Sequence, residues 1–329
     1  MKIVFYHRKK TPSFHSIEFV FETIRKRFQK NIFEVKTKEL SYPSTGLFNR
    51  LLISFQAMLN QGDVNHVTGD IHFIALFLPA KKTILTIHDL GFMENRRGLS
   101  RMILKWFWIQ LPVKHCRIIT TVSESTKKEI VKYVPSAASK IKVIYNPISH
   151  VFQSNPKVFN KNAPIILQMG TKPNKNNGRL IEAIKDIFCE IYFVGKLEPI
   201  YVDALRSYKI KFKEFVNLKT SEVVELYKTC DIVSFPSTVE GFGLPIVEAN
   251  AVGRVVVTST ISSMPEIANG SAELVDPFNI ESIRIGIKKV IDDDAHRVQL
   301  IEKGYQNARR FDLRKIVNEY VELYKSSVL

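Results

Sequence analysis

Two α/β domains in series, each wound around an open parallel sheet, are the fold this sequence predicts. Short β-branched runs alternate with longer segments of helical period, the pattern of parallel strands joined by crossover helices. The alternation stops once near the middle of the chain and then restarts. The 329 residues also exceed what one hydrophobic core usually serves, and two domains of roughly 150 residues each fit that length.

In the first half the strand candidates are Lys2–Tyr6, Phe33–Lys36, Val64–Val67, Thr83–His88, Arg117–Thr121 and Ile141–Tyr145. Helix candidates lie between them at Ser16–Phe28, Phe48–Asn60, Leu99–His115 and Ser123–Tyr133. That half, residues 1–150, is already a complete doubly wound sheet. Pro147, Pro156 and Pro164, with interspersed Asn and Ser, then interrupt the rhythm and mark residues 151–163 as a linker. Strands resume at Ile165–Gln168, Ile191–Val194, Lys211–Phe215, Ile232–Phe235, Val255–Thr258 and Ala272–Val275. The matching helices are Gly178–Ile187, Tyr201–Tyr208, Ser221–Thr229, Pro245–Ala251 and Ile280–Asp292. Residues 164–311 make the second domain, and two Rossmann-like sheets in series are expected to face a central cleft at their strand carboxyl ends. Two helical stretches follow, Ala295–Arg309 and Asp312–Ser326, with no further strand to complete. Residues 312–329 therefore either pack back on the first domain or extend the second.

Composition narrows the class. Apolar residues make up 45% of the chain and charged residues 24%, with 14 Gly and 14 Pro, so it is neither disordered nor low in complexity. Cys116, Cys189 and Cys230 are too few and too widely spaced for a disulfide framework or a zinc site. The apolar start Met1–Tyr6 runs straight into His7-Arg8-Lys9-Lys10, far short of a signal-peptide core, and no segment reaches the length of a membrane span. A reducing, cytoplasmic setting is expected, with membrane contact only from the side. The net charge of +16 is uneven: residues 1–150 carry 24 Lys and Arg against 10 Asp and Glu, residues 151–329 carry 24 against 22. A one-sided basic field suits a polyanionic surface or a phosphate-bearing substrate. Arg96-Arg97 and the stretch Leu99–Trp108 mix basic and aromatic residues, as a membrane-surface helix does and as a core helix with its charges outward also does.

The most informative stretch is Phe235-Pro236-Ser237-Thr238-Val239-Glu240-Gly241-Phe242-Gly243-Leu244-Pro245-Ile246-Val247-Glu248. A buried strand ends in a turn with two glycines, and a helix opens with Pro245 at its first position. The amides of Gly243, Leu244 and Ile246 would then point out of the helix N-terminus, where unpaired donors and the dipole favour a diphosphate. Glu240 before the helix and Glu248 inside it bracket that anion site, and carboxylates accept hydrogen bonds from the hydroxyl pairs of sugars. Across the chain, Thr83–His88 sets a histidine at a strand carboxyl end with Asp89 beside it, and His66-Val67-Thr68-Gly69-Asp70 closes another strand. Asp292-Asp293-Asp294 lies between two helices and reads as a solvated turn rather than a metal ligand set.

Glu240 through Glu248 resembles the E-x7-E motif of retaining family 4 glycosyltransferases, enzymes with the two-domain GT-B fold. Ser263-Met264-Pro265-Glu266-Ile267, Val275-Asp276-Pro277, Thr121-Val122-Ser123-Glu124-Ser125 and Val143-Ile144-Tyr145-Asn146-Pro147 resemble further segments of that family. The resemblance implies a retaining, metal-independent transfer of a sugar from a nucleotide diphosphate sugar to an acceptor hydroxyl, with no bound cofactor. It implies that Glu240 meets the donor sugar, Glu248 the ribose, and Phe242, Gly243 and Leu244 the sugar and diphosphate through their backbone. In Gly170-Thr171-Lys172-Pro173-Asn174-Lys175 it aligns Lys175 with the lysine that neutralises the leaving diphosphate; many members have Arg where Thr171 stands, with Lys172 the candidate substitute. His88 matches the active-site histidine, with Asp89 orienting it. Arg8 and Lys9, in an N-terminal loop lacking the family's glycine pair, and Asp70 fall on the acceptor side. The basic half then faces an anionic, lipid-linked acceptor or the membrane leaflet that holds it, as in surface polysaccharide or glycolipid assembly. Other readings stay open: a sugar-nucleotide epimerase or phosphorylase, or an inactive partner subunit. A nucleic-acid binder would explain the charge but not Glu240 and Glu248, and no nucleic-acid motif is present.

Overall fold

The computed structural model describes residues 1–9, 16–28, 32–93 and 98–328. The chain divides into two compact units, one of residues 1–147 with 313–329 and the other of residues 148–312.

The first unit runs β1 (Lys2–His7), α1 (Ser16–Arg25), β2 (Glu34–Glu39), α2 (Leu47–Met58), β3 (Val64–Val67), β4 (Thr83–Ile87), α3 (Gly98–Leu104), α4 (Leu111–His115), β5 (Ile118–Thr121), α5 (Glu124–Tyr133) and β6 (Ile141–Val143). Its six strands form one parallel sheet in the order β2-β1-β3-β4-β5-β6. The central strands β3 and β4 are buried at every position, as strands covered on both faces are, and the polar Asn65 and His66 of β3 find partners there in Tyr6 and in Tyr324 and Thr86. At the edge, β2 has the sequence EVKTKE and exposes most of it, so its charges blunt a row of unpaired backbone groups. Strand order reverses between β1 and β3, and ligands of such sheets gather beyond the carboxyl ends at that reversal.

The helix expected over Leu99–His115 forms with an internal change of pitch: α3 passes through a π-helical turn at Lys105–Gln110 into α4. Pro112 has no N–H to give the Trp108 carbonyl, and a widened turn at a proline is the usual relief. Nδ1–H of buried His72 donates to that carbonyl instead, at 2.9 Å. Arg96 and Arg97 lie outside the described residues. From Leu99 on, Leu99, Met102, Ile103, Trp106 and Phe107 are exposed, while Trp108 and Ile109 are buried. The core-helix reading therefore accounts for the end of this segment and not for its start.

The second unit runs β7 (Ile165–Met169), α6 (Asn177–Ile184), β8 (Glu190–Val194), α7 (Pro199–Ser207), β9 (Lys211–Phe215), α8 (Thr220–Thr229), β10 (Ile232–Phe235), α9 (Leu244–Val252), β11 (Val255–Ser259), α10 (Met264–Ala268), β12 (Glu273–Val275), α11 (Ile280–Asp292) and α12 (Asp294–Ala308). Its parallel order is β12-β11-β10-β7-β8-β9, with the reversal between β7 and β10. Residues 151–163, expected as a linker, run along this unit instead. Asn155 N–H donates to the Val252 carbonyl at 3.1 Å, Lys157 pairs with Asp231 at 2.8 Å, and Asn160 N–H donates to Asp231 Oδ1 at 3.1 Å. Proline and asparagine remove regular periodicity, but they leave backbone groups that side chains of a neighbouring surface can hold. The last helix, α13 (Leu313–Val328), belongs to the first unit. Its Tyr320 and Tyr324, one turn apart, are fully buried there, and the Tyr324 hydroxyl pairs with Nδ1 of His66 at 2.8 Å.

Candidate functional site

In the second unit, the two loops that leave β7 and β10 meet at the strand-order reversal. After β7 the chain turns at Gly170, whose φ of 94° is a left-handed value that an L side chain rarely adopts. A Cβ there would lie 3.1 Å from Cε of Lys175, so the missing side chain makes room for the lysine stem. The loop is tied down from below. Gln168 Nε2–H donates to the Lys175 carbonyl at 2.8 Å, and Asn176 Nδ2–H donates to the carbonyls of Pro236 and Pro277 at 3.0 and 2.6 Å.

Held in this way, Lys175 donates to Glu240 Oε1 at 2.6 Å, with both side chains less than one-fifth exposed. Its ammonium also lies 4.6 Å from the centre of the Phe235 ring. Asn174 adds a second donor to the same carboxylate oxygen at 3.1 Å and another to the Val239 carbonyl at 3.0 Å. The backbone of Glu240 is fixed from the far side: its N–H donates to the Ser262 hydroxyl, which in turn donates to the Glu240 carbonyl at 2.7 Å. Ser263 Oγ donates to the carbonyls of Glu240 and Phe242 at 2.9 and 2.8 Å. A cation and a carboxylate therefore stand together at the mouth of the sheet before any ligand arrives. Thr171 lies beside Gly195, where a Cβ would come within 2.7 Å of its hydroxyl, and Lys172 is exposed.

The helix that follows begins one residue earlier than the sequence reading has it. Leu244 is its first residue and Pro245 its second. Gly243 caps it with φ 108°, a backbone conformation that strains any residue with a Cβ. The Ile246 amide is not free as expected: it donates to the Gly243 carbonyl at 3.0 Å, closing a first tight turn. The amides of Gly243 and Leu244 meet no protein acceptor among the described residues, leaving two donors at the positive end of the helix dipole for an anion. Phe242 places its ring in the core against Phe311, centroids 5.4 Å apart, so only its backbone is offered to a ligand.

One helical turn inside α9, Glu248 is half-buried and accepts a hydrogen bond from the Tyr227 hydroxyl at 2.6 Å. Desolvation raises its carboxyl to about 7, against which the Tyr227 bond pulls downward. Burial holds the Tyr227 phenol far above its ordinary value, so it remains a donor.

The expected residues of the first unit cluster at the ends of β1, β3 and β4. His88 is buried, and its Nε2–H donates to the Thr68 carbonyl at 3.0 Å. Burial lowers its pKa, which keeps the ring neutral. Asp89 does not orient it: Oδ1 of this exposed residue accepts from the Gly91 amide at 2.9 Å, a local turn. Arg8 and Asp70 come together as an ion pair at 2.9 Å, and Arg8 also bonds Glu18 at 3.0 Å. Lys9 is exposed, and residues 10–15 of the same loop lie outside the described residues. His66 has both ring nitrogens engaged, by Tyr324 and by Thr86, and is a core histidine. The three cysteines are free and buried. No cluster of three or more His, Cys, Asp or Glu able to hold a metal occurs among the described residues.

Asn174, Tyr227, Ser262 and Ser263 hold the candidate site through bonds that the motif reading passes over. Asn174 and Ser263 sit inside quoted segments, so their neighbourhood was marked, though not their bonds. Tyr227 stands 21 residues before its partner, on a helix whose period gives no hint of a polar contact.

Against known families, residues 4–151 match the model described as Glycosyltransferase Family 4, and residues 151–307 match Glycosyl transferases group 1. A serotype-specific mannosyltransferase, WbdA of Escherichia coli, is 24% identical over 257 residues, covering 70% of this chain and 32% of its own length. The chain thus spans about a third of that relative. The O-antigen chain mannosyltransferase RfbU of Salmonella typhimurium is 26% identical over 250 residues, 72% of this chain and 68% of its own. Among solved structures, Anabaena HepE in complex with UDP and glucose superposes with a TM-score of 0.77 at 16% identity, over 99% of this chain and 100% of its own. That likeness establishes the fold, two Rossmann-like units of the GT-B type. With the two models together accounting for residues 4–307, the chain belongs to the family 4 glycosyltransferases.

Proposed function

We propose that this protein transfers a sugar from a nucleotide diphosphate sugar to an acceptor hydroxyl, with retention of anomeric configuration and without a metal ion. The observation that carries the reading is the preassembled group at the second sheet's reversal: the Lys175–Glu240 pair beside the two unmet amides of Gly243 and Leu244. When the anomeric C1–O bond to the diphosphate breaks, negative charge grows on the departing phosphate oxygen. In this reading Lys175 and the α9 N-terminus meet that charge, and, held as they are, they need little reorganisation to do so. Glu240 would accept hydroxyls of the sugar and Glu248 those of the ribose. The acceptor oxygen forms the new C1–O bond on the face the diphosphate leaves, and its proton passes to the departing phosphate. His88, neutral and anchored through Nε2, serves the acceptor side.

The relatives that act on O-antigen chains support a role in surface polysaccharide assembly. The excess of Lys and Arg in residues 1–150 supports an anionic, lipid-linked acceptor and peripheral contact with the cytoplasmic face of a membrane. No helix among the described residues is long and apolar enough to cross one. The test is a panel of UDP-, GDP- and ADP-sugars assayed for binding, then for nucleotide release with and without extracted lipid-linked acceptors. Glu248→Ala is expected to lose donor binding, Glu240→Ala to lose turnover, and chelation by EDTA to change neither. Absence of binding across the panel, with tight salt-sensitive RNA or DNA binding instead, would sink the reading.

A further inference from the structure

We infer that Tyr227 is a positioning residue for the donor site, holding Glu248 in place and in its acceptor form through the hydroxyl-to-carboxylate bond. The inference rests on the donor reading of Glu248 given above. Tyr227 is wholly buried, and its ring packs edge-on against Phe152 with centroids 5.5 Å apart. Its hydroxyl reaches Glu248 Oε2 at 2.6 Å and meets no other partner among the described residues. The backbone beneath the ring is locked as well: buried Arg254 donates through Nε to the Tyr227 carbonyl at 2.9 Å and through its Nη2 to the Lys228 carbonyl at 2.7 Å. The same guanidinium donates to the Gly253 carbonyl at 3.1 Å. One side chain therefore ties the end of α8, which presents Tyr227, to the end of α9, which presents Glu248.

The consequence is chemical as well as geometric. A ribose diol donates to a carboxylate, so Glu248 must be ionised to accept both hydroxyls. Its site opposes that: desolvation raises the carboxyl to about 7, and the Tyr227 bond is the one contribution that lowers it. No charged side chain contributes to that shift. On α8, Cys230 is a thiol that burial pushes up to about 12. Arg254, before β11, spends its donors on carbonyls. Lys175, on the β7 loop, is paired with Glu240. On α12, Tyr305 lies against Gly253 at the far end of α9, and Asp231, before β10, is paired with Lys157.

The test is titration of the intact protein with UDP, GDP or ADP, whichever binds tightest, between pH 6 and 9. In the wild type, affinity should rise with pH through about 7. In Tyr227→Phe the rise should move up by about one pH unit, with binding roughly five- to tenfold weaker between pH 6 and 7 and converging above pH 9. In Glu248→Gln the component of the pH dependence that Tyr227→Phe shifts should disappear, leaving only the ionisation of the nucleotide's own terminal phosphate. A loss in Tyr227→Phe that is the same at every pH, or no loss, overturns the inference. A readout without nucleotide separates it from the donor reading. The infrared band of a protonated buried carboxyl, identified by its disappearance in Glu248→Gln, should titrate at higher pH in Tyr227→Phe. An unshifted band overturns the positioning role whether or not any nucleotide binds.

Discussion

The pairing of Lys175 with Glu240 sets two opposite charges against each other, both mostly covered. Removing the lysine alone leaves Glu240 with Asn174 as its remaining side-chain donor. A half-covered charge that loses its partner is costly, so Lys175→Met should lower stability as well as activity. The two effects are separable. With Glu240→Gln added, the unpaired charge is gone and the melting temperature should return toward the wild-type value. Turnover in Lys175→Met itself should be depressed by about 10²-fold or more, the usual cost of deleting one preorganised donor at a developing anion, and the double variant, which also lacks the Glu240 carboxylate, should not regain it. Melting curves and nucleotide-release rates of both single variants and the double variant check this, and near wild-type turnover in Lys175→Met would count against Lys175 as the stabiliser. The spacing of Glu240 and Glu248 was legible because strand, double-glycine turn, proline and carboxylates follow one another without interruption. Asn174 and Tyr227 were not, since their bonds cross 66 and 21 residues of sequence and depend on which loops the sheet order brings together. The free Ile246 amide was a misreading of one residue, because a capping glycine at φ 108° starts the helix early and uses that amide in its first turn.

Among the elements, the strands were the most readable. Those at the centre of each sheet are covered on both faces, and no other arrangement of a parallel sheet explains four consecutive buried β-branched residues, as in Val255–Thr258. Helices were readable in place but not in detail, and the π turn before Pro112 needed the tertiary contact from His72 to make sense. The destination of α13 was open in the sequence, because an amphipathic period says that one face is covered without saying by what. The structure places Tyr320 and Tyr324 among Phe5, Phe21, Phe28 and His66, in edge-on or tilted contacts within about 6 Å. The helix is thus part of the first unit's core, and its hydroxyl bond to His66 satisfies a buried ring nitrogen. Burial holds His66 neutral, far below its ordinary value, so that nitrogen cannot escape by protonation. Tyr324→Phe should therefore cost about 1–3 kcal/mol for a buried polar group left unmet. For a unit of this size that lowers the melting temperature by about 2–4 °C per kcal/mol. His66→Phe added to it should recover part of the loss, and calorimetry of the two variants decides the matter.

At the scale of the whole molecule, the charge is partitioned along the same boundary as the fold. The first unit, residues 1–147 with 313–329, carries 27 Lys and Arg against 12 Asp and Glu, while residues 148–312 carry 21 against 20. The same basic unit also exposes apolar side chains at helical spacing on two stretches. On α2 and just beyond it these are Leu47, Phe48, Leu51, Phe55, Met58 and Leu59; on α3 and the π turn they are Leu99, Met102, Ile103, Trp106 and Phe107. The two stretches are neighbours, since the Arg50 guanidinium of α2 lies 4.5 Å from the Trp108 ring. Large apolar residues laid out in adjoining stripes on a cationic body are what an anionic bilayer surface selects, with the stripes entering the acyl boundary and the charges meeting the headgroups. Each side chain buried there contributes about 1.5–3 kcal/mol. Co-sedimentation with vesicles containing phosphatidylglycerol should therefore exceed that with phosphatidylcholine alone. It should fall as salt rises to about 0.5 M, where charges are screened within a few ångströms. Leu51→Glu combined with Phe107→Glu should weaken it at least tenfold, while nucleotide binding by the second unit is unchanged. Binding that ignores the anionic lipid, or that survives both substitutions, would remove the membrane from this protein's account and leave the charge to the acceptor alone.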